Sequence, residues 1–137
     1  MMWRATLTAG LLVLATAAAA ADRVVLENVK WEWQNAYGVI LYTIVADVKN
    51  VSAVPVEYVR VKVELRDKNG NLVAERSGYN VGAEVLDEPT GSGANAGRLR
   101  QVKPIGPGAI DHLRLSFDKT DIGKPFHSTS VAVVEVH

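Results

Sequence analysis

The chain has 137 residues, of which 48% are hydrophobic and 22% charged, with 15 basic and 15 acidic side chains. A chain of this length forms one domain at most, and its balanced charge gives no electrostatic reason to expect nucleic acid or an anionic membrane as the main partner. Because the sequence contains no cysteine, disulfide frameworks, thiolate nucleophiles and cysteine-ligated metal centres are excluded. No motif predicts a cofactor.

Residues 1–21 have the pattern of a cleaved signal peptide. Arg4 supplies a positive charge near the start, residues 11–14 are apolar, and residues 17–21 are alanines suited to cleavage. We expect cleavage after Ala21, so that a single domain of residues 22–137 is periplasmic or secreted. The apolar stretch is shorter than the ~20 residues of a spanning helix, which predicts no stable membrane insertion after cleavage.

The first predicted strand, residues 24–34, carries two tryptophans. Trp31 and Trp33 are two residues apart, so on a strand they share a face with Val29. One interpretation places both side chains in the core or at a strand edge. The other makes them an exposed aromatic platform for a peptide or glycan, because tryptophan is enriched in binding hot spots.

The second predicted strand, residues 39–49, is apolar on both faces. Val39, Leu41 and Val45 share one face with a threonine, and the other face holds the even-numbered residues from 40 to 48. One face must pack inside the fold. The remaining apolar row is either covered by a loop or free to contact a partner or a second copy of the chain.

The third predicted strand and its hairpin give the clearest local signal. Residues 59–65 alternate between aliphatic and charged side chains, which is typical of a half-buried strand. Residues 67–71 then predict a tight reversal with Gly70 in the left-handed conformation, and a return strand begins at Leu72.

Residues 82–98 do not continue the pattern of strands and turns. They predict a flexible surface loop, because their glycines and small polar residues bury little surface. Glu84, Asp87 and Glu88 place three carboxylates close together, and they are candidates for calcium binding, the alternative being a solvated acidic stretch. Arg98 and Arg100 follow. They are candidate interaction residues, or they neutralise the acidic stretch.

The remaining chain predicts two more strands. A turn at residues 106–108 precedes a strand around His112, and a last strand covers residues 130–136. His112, His127 and His137 are not at metal-ligand spacing, and serines and carboxylates form no recognisable catalytic pattern such as a nucleophile elbow. The sequence therefore predicts no enzyme. Its six or seven strands, with turns every eight to twelve residues, predict an all-β fold, an antiparallel β-sandwich.

Several of these segments together resemble the FxLYD-type immunoglobulin-like domain of exported bacterial proteins. The resemblance rests on Val48 to Ser52, which match its V-x-N-x-S turn, on the strand and turn of residues 59–73, and on the later proline-glycine turn. The name motif falls on residues 63–67, where the leucine and aspartate match, Val63 replaces phenylalanine and Arg66 replaces tyrosine. The resemblance implies a sandwich of about seven strands used as an accessory or interaction module, without catalytic residues.

From these observations we expect an exported, non-enzymatic interaction module that binds a protein or a cell-envelope component. One alternative is a small periplasmic ligand-binding or metal-binding protein that uses the acidic stretch or the histidines. Another is an assembly factor in which the edge of a strand such as residues 131–136 pairs with the backbone of a partner.

Overall fold

A computed structural model describes residues 22–87 and 100–137. The expected signal peptide, Glu88 and Arg98 lie outside the described residues. Within these two ranges, no helix is long and apolar enough to cross a membrane.

Six strands account for most of the described chain. They are β1 (Val24–Ala36), β2 (Val39–Asn50), β3 (Val59–Arg66), β4 (Leu72–Tyr79), β5 (Ile110–Asp118) and β6 (Ser128–Val136). They form two antiparallel three-stranded sheets, with the strand orders β1-β2-β5 and β4-β3-β6. The all-β class predicted from the valine-rich alternation is confirmed.

The described residues contain six strands instead of about seven. Between β4 and β5 the chain forms a 3-10 segment, Val81–Asp87, which bends at Ala83, and a single bridge pairs Val56 with Ile105. Ala83 is fully buried. Residues 82–87, the first part of the segment predicted as a loop, therefore pack against the folded domain. Burial of the Ala83 side chain removes apolar surface from water and favours this packing. Residues 88–98 of that loop lie outside the described residues.

The core lies between the two sheets and is built from inward-facing side chains of both. On β3 the odd-numbered residues from Val59 to Leu65 are fully buried and the residues between them are not, as the alternation predicts. On β2 the buried face is the even-numbered one, which includes Tyr42, Ile44, Ala46 and Val48. The two central strands thus supply the middle of the core, where burial of apolar area stabilises the fold most.

Asn50 joins the end of β2 to two loops. Its side chain donates hydrogen bonds to the carbonyl oxygens of Val54 and Ile105, both at 2.8 Å, and its Oδ1 accepts from the backbone N–H of Ser52 at 2.9 Å. The residue is 0% exposed. Asn50 therefore satisfies polar groups that the folded chain removes from water, which is the expected state of buried amides.

The β3–β4 turn has the predicted geometry. Gly70 has φ 84°, and the carboxylate of Asp67 accepts hydrogen bonds from the backbone N–H groups of Asn69 and Asn71 at 2.9 and 3.0 Å. An aspartate that bonds its own turn in this way favours the reversal locally. The five residues from Asp67 to Asn71 consequently favour the reversal through their own hydrogen bonds.

Candidate functional site

The loop between β1 and β2 is a two-residue hairpin turn with an unusual residue in it. Ala36 pairs with Val39, so Tyr37 and Gly38 form the turn, and their φ angles are 52° and 86°. Positive φ at both central residues defines a type I′ turn, which favours Asn-Gly or Gly-Gly. A bulky tyrosine in the left-handed region costs on the order of 1 kcal/mol. The turn therefore holds its tyrosine in a strained conformation.

Nothing in the described chain covers that tyrosine. Tyr37 has a relative exposure of 105%, and its neighbours Val39 and Ile40 are 43% and 39% exposed. Val39 lies on the outer face of the sheet and Ile40 on the face directed toward the core. The hairpin tip, which we define as residues 36–40, thus presents apolar side chains on both faces and an aromatic ring at its end.

The register of the sheet explains this exposure. β2 pairs with β1 up to Val39, but its pairing with β5 begins only at Leu41, which lies opposite Asp118. The tip therefore extends beyond β5 by two residues, or roughly 7 Å at the rise of an antiparallel strand. Among the described residues, no strand pairs with this projection on the β5 side, where β5 ends and a short helix, Lys119–Ile122, begins next to β2.

Leu41 and Val45 lie on the outer face of the same sheet, but they do not form a continuous apolar row. Between them Thr43 is buried, and its hydroxyl bonds to Gln34 Oε1 at 3.1 Å and to the Ser116 hydroxyl at 2.9 Å. Leu41 and Val45 are themselves half-buried. The exposed apolar residues of β2 are therefore Val39 and Ile40 at the hairpin tip, whereas Val25 and Ile110 are exposed at the opposite end of the sheet.

A histidine and a carboxylate meet near the other end of this outer face. His112 Nδ1 lies 3.0 Å from Asp47 Oδ1, and the second oxygen of Asp47 accepts from Asn28 Nδ2 at 2.8 Å. The imidazole is 69% exposed. Ser116 is four residues further along β5, roughly 13 Å away on an extended strand. That hydroxyl is beyond hydrogen-bonding reach of His112, so the pair lacks a nucleophile on this strand.

Asp47 makes the stability of the fold sensitive to pH in the acid range. Its pKa is lowered because it accepts hydrogen bonds from Asn28 and, second, from His112. A lowered folded pKa gives stability that is present above the unfolded pKa, about 3.9, and is lost as pH falls through the folded pKa. We expect Asp47→Ala to lower the thermal midpoint at pH 6 and to match the wild type near pH 2, measured by circular dichroism. An equal difference at both pH values would contradict this.

The two tryptophans pack on the core side of β1. Trp31 and Trp33 are half-buried against the core cluster together with Val29. The Trp33 ring lies 5.0 Å from Tyr42 and 6.1 Å from Phe126, measured between ring centroids. Of the two interpretations open from the sequence, the structure favours packing over an exposed platform. The tryptophan indoles contribute buried apolar area and aromatic contacts to the fold.

Two of the three acidic candidates can be located. Glu84 is exposed on the 3-10 segment, and Asp87 Oδ2 accepts a hydrogen bond from the backbone N–H of Tyr79 at 3.1 Å. Within residues 22–87 and 100–137, no group of three histidine, aspartate or glutamate side chains is placed to hold a metal ion. Asp87 therefore has a structural role at the edge of β4.

Two open depressions flank the 3-10 segment. One, of about 490 Å³, lies beside Val81, Val85 and Ile110, and the other, of about 400 Å³, lies between Arg76 and Arg114. Glu84 and Asp87 also line the second. Two positive and two negative side chains balance there, so this depression has no net preference for a charged ligand.

The remaining candidates are scattered over the surface. Arg100 is exposed in a turn. His127 precedes β6 and His137 follows it, so the nine residues of β6 separate them by roughly 30 Å. The ring of His137 stacks on Tyr58 with 5.1 Å between centroids. The structure therefore brings the three histidines into no common site.

Sequence reasoning did not select Tyr37 or Ile40. A signal was present, because the pair Tyr37-Gly38 stands between two strongly β-forming segments at the spacing of a two-residue hairpin. Tyrosine is not a usual residue for the first turn position, and that departure becomes informative only when the φ angle is known.

The sequence matches no protein-family model, and no curated protein and no solved structure matches it. The resemblance to the FxLYD-type domain therefore stays a prediction.

Proposed function

We propose that the protein is an exported, non-enzymatic interaction module that binds another protein of the cell envelope through its hairpin tip, residues 36–40. The observation that carries the proposal is Tyr37, which is fully exposed and held at positive φ. Strain in an exposed residue with no packing role is a reason to infer a function for it.

The chemistry of the tip suits a protein partner. Tyrosine buries a large amphipathic surface at a small entropic cost, and it is enriched in binding hot spots. Val39 and Ile40 add exposed apolar area on the two sides of the ring. We infer a partner with an apolar groove that accepts the end of a hairpin, with a polar group near its base to bond the tyrosine hydroxyl.

We also propose that the fold is the immunoglobulin-like sandwich implied by the FxLYD resemblance. Two packed antiparallel sheets and the local roles of Asn50 and Asp67 support this. Asn50 bonds the backbone of Ser52, and Asp67 bonds that of its turn. Asn50 and Asp67 lie in the two turns on which the resemblance to the FxLYD-type domain rests. Such domains are compatible with many functions, so the functional argument rests on the hairpin tip and not on the sandwich.

A direct test places a photo-crosslinking amino acid, p-benzoylphenylalanine, at position 37 and expresses the protein in its own exported setting. We expect a discrete covalent adduct with one envelope protein. The same amino acid at Val54, which is 53% exposed, is the control and should give none. Equal adduct patterns at the two positions would contradict a specific contact at the tip.

Substitution of Tyr37 by asparagine separates binding from folding. Asparagine tolerates the left-handed region and favours a type I′ turn before glycine, so we expect Tyr37→Asn to raise the free energy of unfolding by about 0.5 to 1 kcal/mol. Loss of a hot-spot aromatic should weaken partner binding by about 2 kcal/mol, or roughly thirtyfold. Urea unfolding measures the change in stability. Titration with the purified partner that the crosslinking experiment identifies measures the change in binding. A variant that binds as tightly as the wild type would refute the proposed site.

A further inference from the structure

The four outer strands of the two sheets differ in how their free edges are protected. An edge strand exposes unpaired N–H and C=O groups that invite pairing with another chain, and proteins usually block it with charges, bulges or covering segments. β1 carries three charged residues, Glu27, Lys30 and Glu32, and a bulge at Asn28, whose φ is 52°. Its edge is therefore protected.

The edges of β4 and β5 are occupied by side chains. Arg76 Nη1 of β4 donates to the carbonyl oxygen of Ser116 in β5 at 2.8 Å, and Asp87 accepts from the Tyr79 N–H of β4. These bonds use backbone groups that a partner strand would otherwise take. Each edge thus has one backbone group that is not free for strand addition, and the charged residues of both strands protect it further.

β6 lacks these devices over most of its length. From Ser128 to Val134 it contains no charged residue, and the carboxylate of Glu135 bonds to the Tyr58 hydroxyl at 2.9 Å. In the described part of the chain, β6 pairs with β3 on one side and with no strand on the other. Its bulge is at Val134, between the pairs Glu135–Arg60 and Val133–Val61, and it ends the regular part of the strand. The six residues from Ser128 to Val133 thus form a regular edge that no described strand pairs with.

We propose that this edge pairs with β6 of a second copy of the chain, in antiparallel orientation, so that two three-stranded sheets become one sheet of six strands. This inference goes beyond the hairpin-tip function and uses different residues. An antiparallel pair centred on Val131 places Thr129 opposite Val133 of the second copy and Ser130 opposite Ala132. Each core-facing residue of one copy is then opposite a core-facing residue of the other, as a continuous sheet requires.

Charge favours a second copy as the occupant. The edge is uncharged, so the paired strands bring no like charges together, and without Arg4 of the expected signal peptide 14 basic and 15 acidic residues give the exported chain a formal net charge of −1. Two copies therefore approach with little long-range repulsion, and a chain near zero net charge tends to associate. The pairing uses only the regular part of the edge, from Thr129 opposite Val133 to Val133 opposite Thr129.

A charge-swap experiment tests this pairing. Ser130 and Ala132 lie on the outer face, opposite Glu64 and Lys62 of β3. The double variants S130K/A132K and S130E/A132E each gain one favourable and one unfavourable neighbour within the chain, so their folds should be equally stable. Across the dimer, however, each variant places like charges directly opposite one another.

We expect sedimentation equilibrium, over loading concentrations from about 1 µM to about 1 mM that span weak interfaces, to show a wild-type dimer. Each double variant should associate at least about 100-fold more weakly, because juxtaposed like charges are strongly unfavourable. An equimolar mixture of the two variants should restore the dimer. Tyr37→Asn should associate like the wild type, and this separates the edge from the hairpin tip.

The proposal is overturned if the wild type is monomeric throughout, if the double variants associate like the wild type, if their mixture does not associate, or if Tyr37→Asn abolishes the dimer. Hydrogen exchange of the wild type gives a measurement that needs no variant. Amide protection of residues 129–133 should rise with protein concentration while that of β1 stays constant. Protection of both strands that is independent of concentration would also overturn it.

Discussion

Replacement of Asn50 by alanine should lower the free energy of unfolding by about 3 kcal/mol, because buried polar groups left without partners cost about 1 to 3 kcal/mol each. The amide donates to the Val54 and Ile105 carbonyls and accepts from Ser52. Alanine removes all of these bonds at a position with 0% exposure. Chemical unfolding monitored by tryptophan fluorescence measures the change.

Two variants sharpen this prediction. Asn50→Asp keeps the shape but turns an oxygen toward two carbonyl oxygens, so it should be at least as destabilising at neutral pH. Its penalty should shrink as pH falls, because a protonated carboxyl can donate again. Asn69→Ala, at an exposed position of the β3–β4 turn, is the control and should change stability by no more than about 0.5 kcal/mol. Equal effects at positions 50 and 69 would contradict the buried network.

The second large effect is expected at Ile44, which is 0% exposed at the centre of β2. Ile44→Ala removes buried methyl groups from between the sheets and leaves a cavity that the flanking strands only partly fill. Substitutions of this kind cost about 2 to 5 kcal/mol, and we expect a value of about 3 to 4 kcal/mol at this position. Urea unfolding of both proteins under identical conditions measures it.

Val45 provides the matched control because it is the next residue on the same strand and points to the opposite face. Val45 is half-buried on the outer side of the sheet, so Val45→Ala should cost no more than about 1 kcal/mol. The contrast between the two substitutions tests which face of β2 lies in the core. A larger cost at Val45 than at Ile44 would reverse the assignment of the faces.

The local pattern of β3 could be predicted because its two faces differ in chemistry. Aliphatic and charged residues alternate from Val59 to Arg66, and only one arrangement buries the first set and solvates the second. The turn at Asp67 could be predicted for a similar reason, since its residues favour the reversal through bonds to their own backbone.

The faces of β2 could not be predicted, because both carry apolar residues and the hydrophobic effect alone does not choose between them. The choice depends on neighbours distant in sequence. Tyr42 bonds Thr129 of β6 at 2.7 Å, which fixes the even-numbered face inward, and Thr43 bonds Ser116 of β5 on the outer side. Burial raises the pKa of Tyr42 to about 12, as expected for a phenol enclosed in the core.

The sequence by itself determined that this is an all-β chain without cysteine chemistry. It also determined the hairpin turn after β3 and the valine-rich composition of the core. These properties are local, because they follow from side-chain shape, alternation and turn chemistry. Only the tertiary structure decided that Trp31 and Trp33 pack on the core, that Tyr37 is strained and exposed, and that β6 pairs with β3 alone among the described strands. These properties depend on which strands end beside one another, and strand register and sheet order are set by contacts between residues far apart in the chain.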